Sequence, residues 1–133
     1  MNEAKQLSLL HTARSAAQHA YAPYSNFRVG AALLCADGTV YTGCNVENAA
    51  YPLCTCAERT AICKAVSEGN RAFSAIAITS LDSADACLPC GSCRQTLAEF
   101  CTDDFLVIVQ GDSADSVRAY RLGDLIPAVF RLN

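Results

Sequence analysis

The hydrophobic and polar positions of this chain predict a helix followed by a β-hairpin in its first third. Over residues 3–20, leucines and alanines recur on one helical face, and Asn2 is a suitable N-cap. Apolar runs at 27–35 and 40–44 predict two strands. The Asp-Gly pair at 37–38 lies between them and is typical of a tight hairpin turn.

The rest of the chain alternates helical periodicity with short apolar runs. Helices are predicted over residues 56–68 and 91–101. Strands are predicted where the chain is continuously apolar over a short length, at 75–79, 105–109 and 116–120. Strands that alternate with helices favour an α/β fold, in which helices pack on the faces of a central mixed sheet.

The composition is typical of one globular domain that acts on a small molecule. The 133 residues are 52% hydrophobic and 17% charged, so we expect a single domain over 1–133, with some apolar surface buried between subunits. The net charge is −3 and no run of Lys or Arg occurs, whereas a polynucleotide binder is expected to carry a basic face. No apolar stretch reaches the ~18 residues of a membrane span. We therefore predict neither a nucleic acid nor a membrane partner.

The nine cysteines are the most unusual feature of the composition. The chain begins without the cationic segment and apolar core of a secretory signal, so we predict a cytoplasmic, reducing location. In such a compartment, clustered cysteines indicate metal ligands or redox groups rather than disulfides.

Cys56, Cys90 and Cys93 form a single Cys followed later by a Cys-x-x-Cys pair. Three protein ligands leave one position of a tetrahedral Zn²⁺ open, which is typical of a catalytic site rather than a structural one. Each cysteine lies near a predicted helix start, where unpaired N–H groups and the helix dipole lower the pKa of a thiol. We predict one Zn²⁺ per chain, with Arg59 offsetting the excess negative charge of three thiolates.

Glu58 lies two residues after the first of these cysteines, close enough to act at the open position. The pattern Cys-Ala-Glu with a later Pro-Cys-x-x-Cys is similar to the signature of zinc-dependent base deaminases. In that chemistry Glu58 would take a proton from the attacking water and pass it to N3 of the pyrimidine. It would then help to protonate the amine that leaves as ammonia.

Other interpretations of these residues stay open at the level of sequence. A Cys-x-x-Cys also occurs in thioredoxin-like redox proteins, although these do not require a distant third cysteine followed by Ala-Glu. A structural zinc site would need a fourth ligand. Glu58 could be a solvated helix residue, and Arg59 a plain surface charge. The candidates for a fourth ligand are Cys54 and Cys87 and, less favourably placed in the first helix, His11 and His19.

Longer motifs cover nearly all of the chain. They lie at residues 23–32 (PYSNFRVGAA), 43–49 (GCNVENA), 56–61 (CAERTA), 89–95 (PCGSCRQ) and 125–130 (LIPAVF). With these motifs the chain resembles a cytidine deaminase of the small, homotetrameric type. The resemblance implies a three-layer α/β/α fold, with a mixed five-stranded sheet and helices on both faces. It also implies zinc-dependent hydrolysis of cytidine and 2′-deoxycytidine to uridine and 2′-deoxyuridine, with release of ammonia, at active sites shared between subunits.

The same resemblance implies a set of substrate contacts. Asn45 and Glu47 would hold the ribose hydroxyls, and the backbone at Ala57 would read the base together with the Glu58 carboxylate. Without the resemblance, Asn45 and Glu47 would be taken for ordinary loop residues. The complete predicted substrate set is Phe27, Asn45, Val46, Glu47, Tyr51, Ala57 and Phe130.

Three aromatic residues in that set have separate predicted roles. Phe27 would pack against the nucleoside, and Tyr51 would lie near a pocket between subunits. Phe130 matches an aromatic residue near the C-terminus that reaches the site of a neighbouring subunit. The simpler alternative for Phe130 is that it packs into the core of its own chain.

Three other functions stay open. A deaminase for a modified nucleoside such as blasticidin S would share the zinc motif but differ in the ribose loop, which is intact here at Asn45, Val46 and Glu47. An RNA- or DNA-editing deaminase is disfavoured by the acidic charge balance. A non-enzymatic structural zinc module would require a closed site. The sequence leaves open the preference between cytidine and deoxycytidine.

Overall fold

The computed structural model describes residues 1–132, and its strands form one mixed five-stranded sheet in the order β2-β1-β3-β4-β5. Strands β3 and β4 are parallel, whereas the other neighbouring pairs are antiparallel. The strands are β1 (Val29–Cys35), β2 (Val40–Cys44), β3 (Phe73–Ser80), β4 (Leu106–Gln110) and β5 (Val117–Arg121). The helices are α1 (Glu3–Ala17), α2 (Ala57–Ser67), α3 (Gly91–Phe100) and the short α4 (Leu122–Leu125), with a 3₁₀ turn at Tyr51–Leu53.

The first helix and the hairpin form as predicted. The Asn2 side chain accepts a hydrogen bond of 2.9 Å from the backbone N–H of Lys5, which caps α1. Strands β1 and β2 pair antiparallel, with Leu34 opposite Val40 next to the turn. Gly38 in that turn has a φ of +91°, which a glycine adopts without a steric cost.

The three layers follow from the alternation of side chains along the strands. In β1, Ala31 and Leu33 point into a core formed with α2 and α3. Ala32, between them, points to the opposite face, into a core formed with α1. Helices therefore cover both faces of the sheet, which confirms the predicted three-layer α/β/α fold.

Two glycines allow helices to approach the sheet closely on opposite faces. A Cβ at Gly30 of β1 would overlap the Ala13 carbonyl oxygen of α1. A Cβ at Gly43 of β2 would overlap the Ala57 carbonyl oxygen and would lie 2.6 Å from the Ala61 nitrogen of α2. The absence of a side chain at Gly43 thus determines how close the first turn of α2 lies to the sheet.

The boundaries of several elements differ from the sequence prediction. Helix α1 ends at Ala17 rather than at residue 20, because the N–H groups of residues 18–20 donate to carbonyls three positions earlier. Strand β1 begins at Val29 rather than at 27, and β3 extends from Phe73 to Ser80, beyond both predicted ends. The 3₁₀ turn and α4 were not predicted, since both are shorter than the window over which helical periodicity can be recognised.

None of the helices within residues 1–132 is long and apolar enough to cross a membrane.

Candidate metal centre and catalytic cavity

The three predicted metal ligands lie together at the starts of two helices. Cys56 is the residue that precedes α2, and Cys90 is the residue that precedes α3. Cys93 lies in the first turn of α3 and is fully buried. All three Sγ atoms lie within 4.8 Å of one another, although Cys90 is 34 positions from Cys56 in the sequence.

This donor set fits Zn²⁺. Zinc–thiolate bonds of about 2.3 Å in a tetrahedral site place the sulfurs roughly 3.8 Å apart, which the cluster can reach by small side-chain adjustments. Within the described part of the chain, no other His, Cys, Asp or Glu joins this cluster. The Sγ of Cys54 instead accepts a hydrogen bond of 3.3 Å from the N–H of Asn48. The closed structural site with a fourth protein ligand is therefore not supported.

Hydrogen bonding favours the thiolate at Cys56, whereas nearby charges act in both directions, since the Glu58 carboxylate raises the pKa of Cys56 and the Arg59 guanidinium lowers it. A hydrogen bond from the Cys93 thiol is the main factor that lowers the pKa of Cys56 to about 6, and the positive charge of Arg59 lowers this pKa further. The same hydrogen bond, together with burial, raises the pKa of Cys93. The direction of the Arg59 effect is the one expected of a residue that offsets thiolate charge.

Glu58 is buried beside the cysteine cluster. It lies in the first turn of α2 and is only 5% exposed. Burial raises the pKa of its carboxyl group, because the charged form loses its hydration. The alternative that Glu58 is an ordinary solvated helix residue is therefore wrong.

A cavity of about 200 Å³ opens onto these residues. It is bounded on one side by the starts of α2 and α3 and on the other by the end of the hairpin. Three larger cavities, of about 350, 460 and 530 Å³, contain none of the three clustered cysteines, so the chemistry of the lining identifies the site and cavity size does not. The residues that line the 200 Å³ cavity are Val29, Asn45, Cys56, Ala57, Glu58, Cys87, Leu88 and Cys90.

Asn45 contributes to this cavity and also fastens the strand that precedes it. Its Oδ1 accepts a hydrogen bond of 2.8 Å from the N–H of Val29, and its Nδ2 donates one of 2.8 Å to the Phe27 carbonyl. One lone pair of Oδ1 and one N–H of Nδ2 remain for a ligand. Asn45 is therefore held in a defined orientation at the edge of the cavity.

Glu47 lies at a second cavity, of about 190 Å³, which Tyr51 also lines. Its carboxylate accepts hydrogen bonds from the N–H groups of Tyr24 and Ser25, at 3.0 and 3.2 Å, and from the Ser25 hydroxyl. These bonds, with the Ser25 hydroxyl first, lower the pKa of the Glu47 carboxyl group. Glu47 is thus a fixed anion that anchors the loop before β1.

Of the remaining predicted substrate residues, only Ala57 lines the catalytic cavity. Phe27 and Val46 are 38% and 43% exposed, and neither belongs to the lining. Tyr51 and Phe130 are 70% and 68% exposed. The alternative that Phe130 packs into its own core is therefore wrong.

Sequence reasoning missed some of the residues that shape the site. Cys87 and Leu88 line the catalytic cavity, and only the proximity of Cys87 to the ligand set gave a signal for them. Ser25 and Tyr24 hold Glu47, a tertiary contact that no local pattern predicts. Arg94 follows Cys93 directly, and its guanidinium donates to the carbonyl oxygens of Pro89 and of Leu125, the second of which lies 31 positions away.

Comparison with known proteins gives a consistent result. A family model described as the cytidine and deoxycytidylate deaminase zinc-binding region matches residues 3–109. A cytidine deaminase from Sporosarcina psychrophila is 46% identical over 125 residues, which cover 92% of this chain and 88% of that protein. One from Mycobacterium tuberculosis H37Rv is 44% identical over 121 residues, covering 91% and 86% of the two chains. A crystal structure of cytidine deaminase from Burkholderia pseudomallei matches with a TM-score of 0.86 and 46% identity, over 92% of this chain and 97% of that one.

Proposed function

The chain belongs to the cytidine and deoxycytidylate deaminase family, and from this premise we propose how its residues deaminate a free nucleoside. The protein is a zinc-dependent hydrolase that converts cytidine to uridine with release of ammonia. The observation that carries this function is the buried Glu58 carboxylate beside three clustered thiols at one cavity. We propose that 2′-deoxycytidine is also a substrate.

The protein groups in the cavity divide the chemistry between them. Cys56, Cys90 and Cys93 would hold Zn²⁺, which would supply Lewis acidity for the activation of water. Glu58 receives the proton that this water loses, delivers it to N3 of the pyrimidine, and assists protonation of the departing amine. Burial of Glu58 keeps bulk water from competing for that proton. The backbone at Ala57, adjoining Glu58, orients the base.

Asn45 and Glu47 are the proposed ribose contacts. Each retains acceptor or donor capacity beyond its contacts within the chain, and each is held in place by those contacts. A ligand without the sugar would leave these polar groups unpaired in the closed site. We therefore propose a nucleoside, with Phe27 and Val46 along its path, rather than a free base or a polynucleotide.

Free cytosine is expected to be a poor substrate compared with cytidine. Each unmade polar contact costs about 1–3 kcal/mol, so Glu47→Ala is expected to lower kcat/KM for cytidine by roughly 5- to 150-fold. Steady-state assays of wild-type and variant protein on both substrates, with zinc content measured in parallel, test this. Zinc is expected to stay bound in the variant.

Several outcomes would contradict the ribose assignment. Equal efficiency on cytosine and cytidine would show that the sugar is not recognised. Activity on cytidine-containing oligonucleotides equal to that on the nucleoside would favour an editing enzyme. Efficient use of blasticidin S with none of cytidine would favour the modified-nucleoside alternative.

We propose that the protein forms a homotetramer whose sites are completed between subunits. Large apolar side chains that are well exposed in one chain support this, because exposed apolar clusters mark contact surfaces. Phe130 is among them. It follows the last helix in the sequence and does not line the chain's own catalytic cavity. The most exposed of these residues are Leu132, Tyr51, Phe130, Leu53 and Tyr21.

Phe130→Ala is expected to raise the KM for cytidine several-fold while zinc stays bound. An aromatic side chain that reaches the neighbouring site contributes about 0.5–1.5 kcal/mol beyond area burial when it stacks on a ring. Val40→Ala, which truncates an exposed apolar residue at the hairpin turn instead of in the C-terminal segment, is the control and should retain the wild-type KM. Light scattering gives the mass: full activity at the monomer mass of 14.1 kDa would exclude shared sites.

We also propose a reducing, cytoplasmic location. All nine cysteines of the structure are free thiols, as expected where disulfides are kept reduced.

A further inference from the structure

Arg94 connects two parts of the chain that are far apart in sequence. It follows Cys93 directly in the first turn of α3 and is half-buried. Its Nε–H donates a hydrogen bond of 2.8 Å to the carbonyl oxygen of Pro89. Its Nη1 donates another of 2.8 Å to the carbonyl oxygen of Leu125, 31 positions later.

The first of these contacts lies immediately before a metal ligand. Pro89 is fully buried, whereas Cys90 next to it is exposed, so the packing of Cys90 itself does little to fix its sulfur. The irregular segment between β3 and α3 is otherwise fastened upstream, where Asp82 pairs with Arg28 at 2.9 Å and the Ala84 carbonyl accepts a hydrogen bond of 2.8 Å from Nε2 of Gln110. The bond from Arg94 to Pro89 is therefore the side-chain contact that holds this segment where it delivers Cys90 to the cluster.

The second contact begins a series along α3 that holds the C-terminal segment, residues 125–131. Gln95 donates a hydrogen bond of 2.9 Å from Nε2 to the Phe130 carbonyl. Arg131 donates back to the carbonyl oxygens of Ala98 and Cys101 at the other end of the helix. Helix α3, which contains Cys93, therefore also holds the backbone of Phe130, the residue proposed to reach a neighbouring site.

We propose that Arg94 is a positioning residue for the deamination reaction, whose planar guanidinium fixes the Cys90 loop and the C-terminal segment relative to each other. One side chain then contributes both to the retention of zinc and to the placement of the C-terminal segment. This inference rests on the proposed ligand set and on the proposed role of Phe130.

A simpler role for Arg94 would be to supply positive charge near the thiolates. Both hydrogen bonds of the Arg94 guanidinium are directed to backbone carbonyl oxygens, those of Pro89 and Leu125, and neither is directed to a thiol. The two contacts of Arg94 require donors at two fixed directions from one planar group, which arginine provides and the single ammonium of lysine does not. Substitution by lysine therefore separates a geometric role from a purely electrostatic one.

The test uses the zinc-loaded protein and the variants Arg94→Met, Arg94→Lys and Gln95→Met. The substitutions keep an unbranched side chain with good helix propensity, so α3 is expected to form in each. Two quantities are measured: the rate at which zinc passes to a chromophoric chelator, and backbone hydrogen exchange of a peptide covering 122–132. Circular dichroism confirms that each variant is folded.

Both arginine variants are expected to release zinc about tenfold faster than wild type, and both should exchange faster in the C-terminal peptide. Gln95→Met is expected to speed exchange in that peptide while its zinc release stays at the wild-type rate. Wild-type zinc release in Arg94→Met, or full restoration by Arg94→Lys, would overturn the proposal. Faster zinc release in Gln95→Met would also overturn the proposal, because the effect of the Arg94–Pro89 contact on zinc could then not be separated from a loosened C-terminal segment.

Failure of the proposed function gives a different result. In that case wild-type protein would not deaminate cytidine, whereas the zinc-release and exchange measurements would still report on Arg94. If the wild-type enzyme is active and an Arg94 variant shows normal zinc release and normal exchange, the role of Arg94 is rejected and the proposed function is not.

Discussion

Cys90→Ala is expected to lose zinc and deaminase activity together. Removal of one thiolate leaves two protein ligands. Neither Cys54 nor Cys87 belongs to the cluster, so neither is placed to replace the lost ligand. Without the ion, the cavity keeps Glu58 but has no Lewis acid to activate water. Metal content after dialysis against a chelator, followed by an assay of ammonia release from cytidine, measures both losses.

The matched control is Cys63→Ala. Cys63 lies on α2, is exposed, and is separate from the cluster, so this variant should retain one zinc per chain and wild-type activity. Cys56→Ala and Cys93→Ala should behave like Cys90→Ala. Full zinc occupancy in Cys90→Ala would remove this residue from the ligand set and would also remove the basis of the inference about Arg94.

Glu58→Gln is expected to lower kcat by at least ~10²-fold while zinc and fold are retained. The amide has the shape of the carboxylate but cannot accept and return a proton at the required steps. The Glu58 side chain is only 5% exposed, and the amide that replaces its carboxyl group is neutral. The substitution therefore places no new charge in the interior and should not destabilise the fold. Rapid-quench measurements of a single turnover report the chemical step directly.

Glu68→Gln provides the control for loss of a carboxylate near the same helix. Glu68 is exposed at the end of α2 opposite to Cys56 and Glu58, and its substitution should leave kcat unchanged. Near wild-type deamination by Glu58→Gln would show that another group carries the proton. A variant that loses zinc would instead assign Glu58 a role in metal retention.

The sequence predicts the local parts of this structure well. The hairpin, the helix starts and the cluster of three cysteines each depend on residues close together in the chain, or on residue types with few alternative roles. Cys56 and Cys90 could be assigned to the same site from the sequence, because clustered thiols in a reducing compartment commonly bind a metal ion. The α/β fold follows from the alternation of helices and strands.

Non-local features could not be predicted in this way. The position of β1 between β2 and β3 depends on contacts between strands more than forty residues apart, as in the pairing of Val29 with Ser80. The partners of Arg94 and most of those of Glu47 are backbone groups, and a backbone group has no signature in the sequence. The exposure of Phe130 is likewise a property of the folded chain.

The close approach of helices at Gly30 and Gly43 has a genetic consequence. Every single-nucleotide change in a glycine codon that alters the amino acid without ending the chain introduces a residue with a Cβ. At both positions that atom would occupy the space of a helix backbone, and a backbone cannot rotate away as a flexible side chain can. While the helices stay in place, point mutation at these two codons is therefore expected to be confined to synonymous changes.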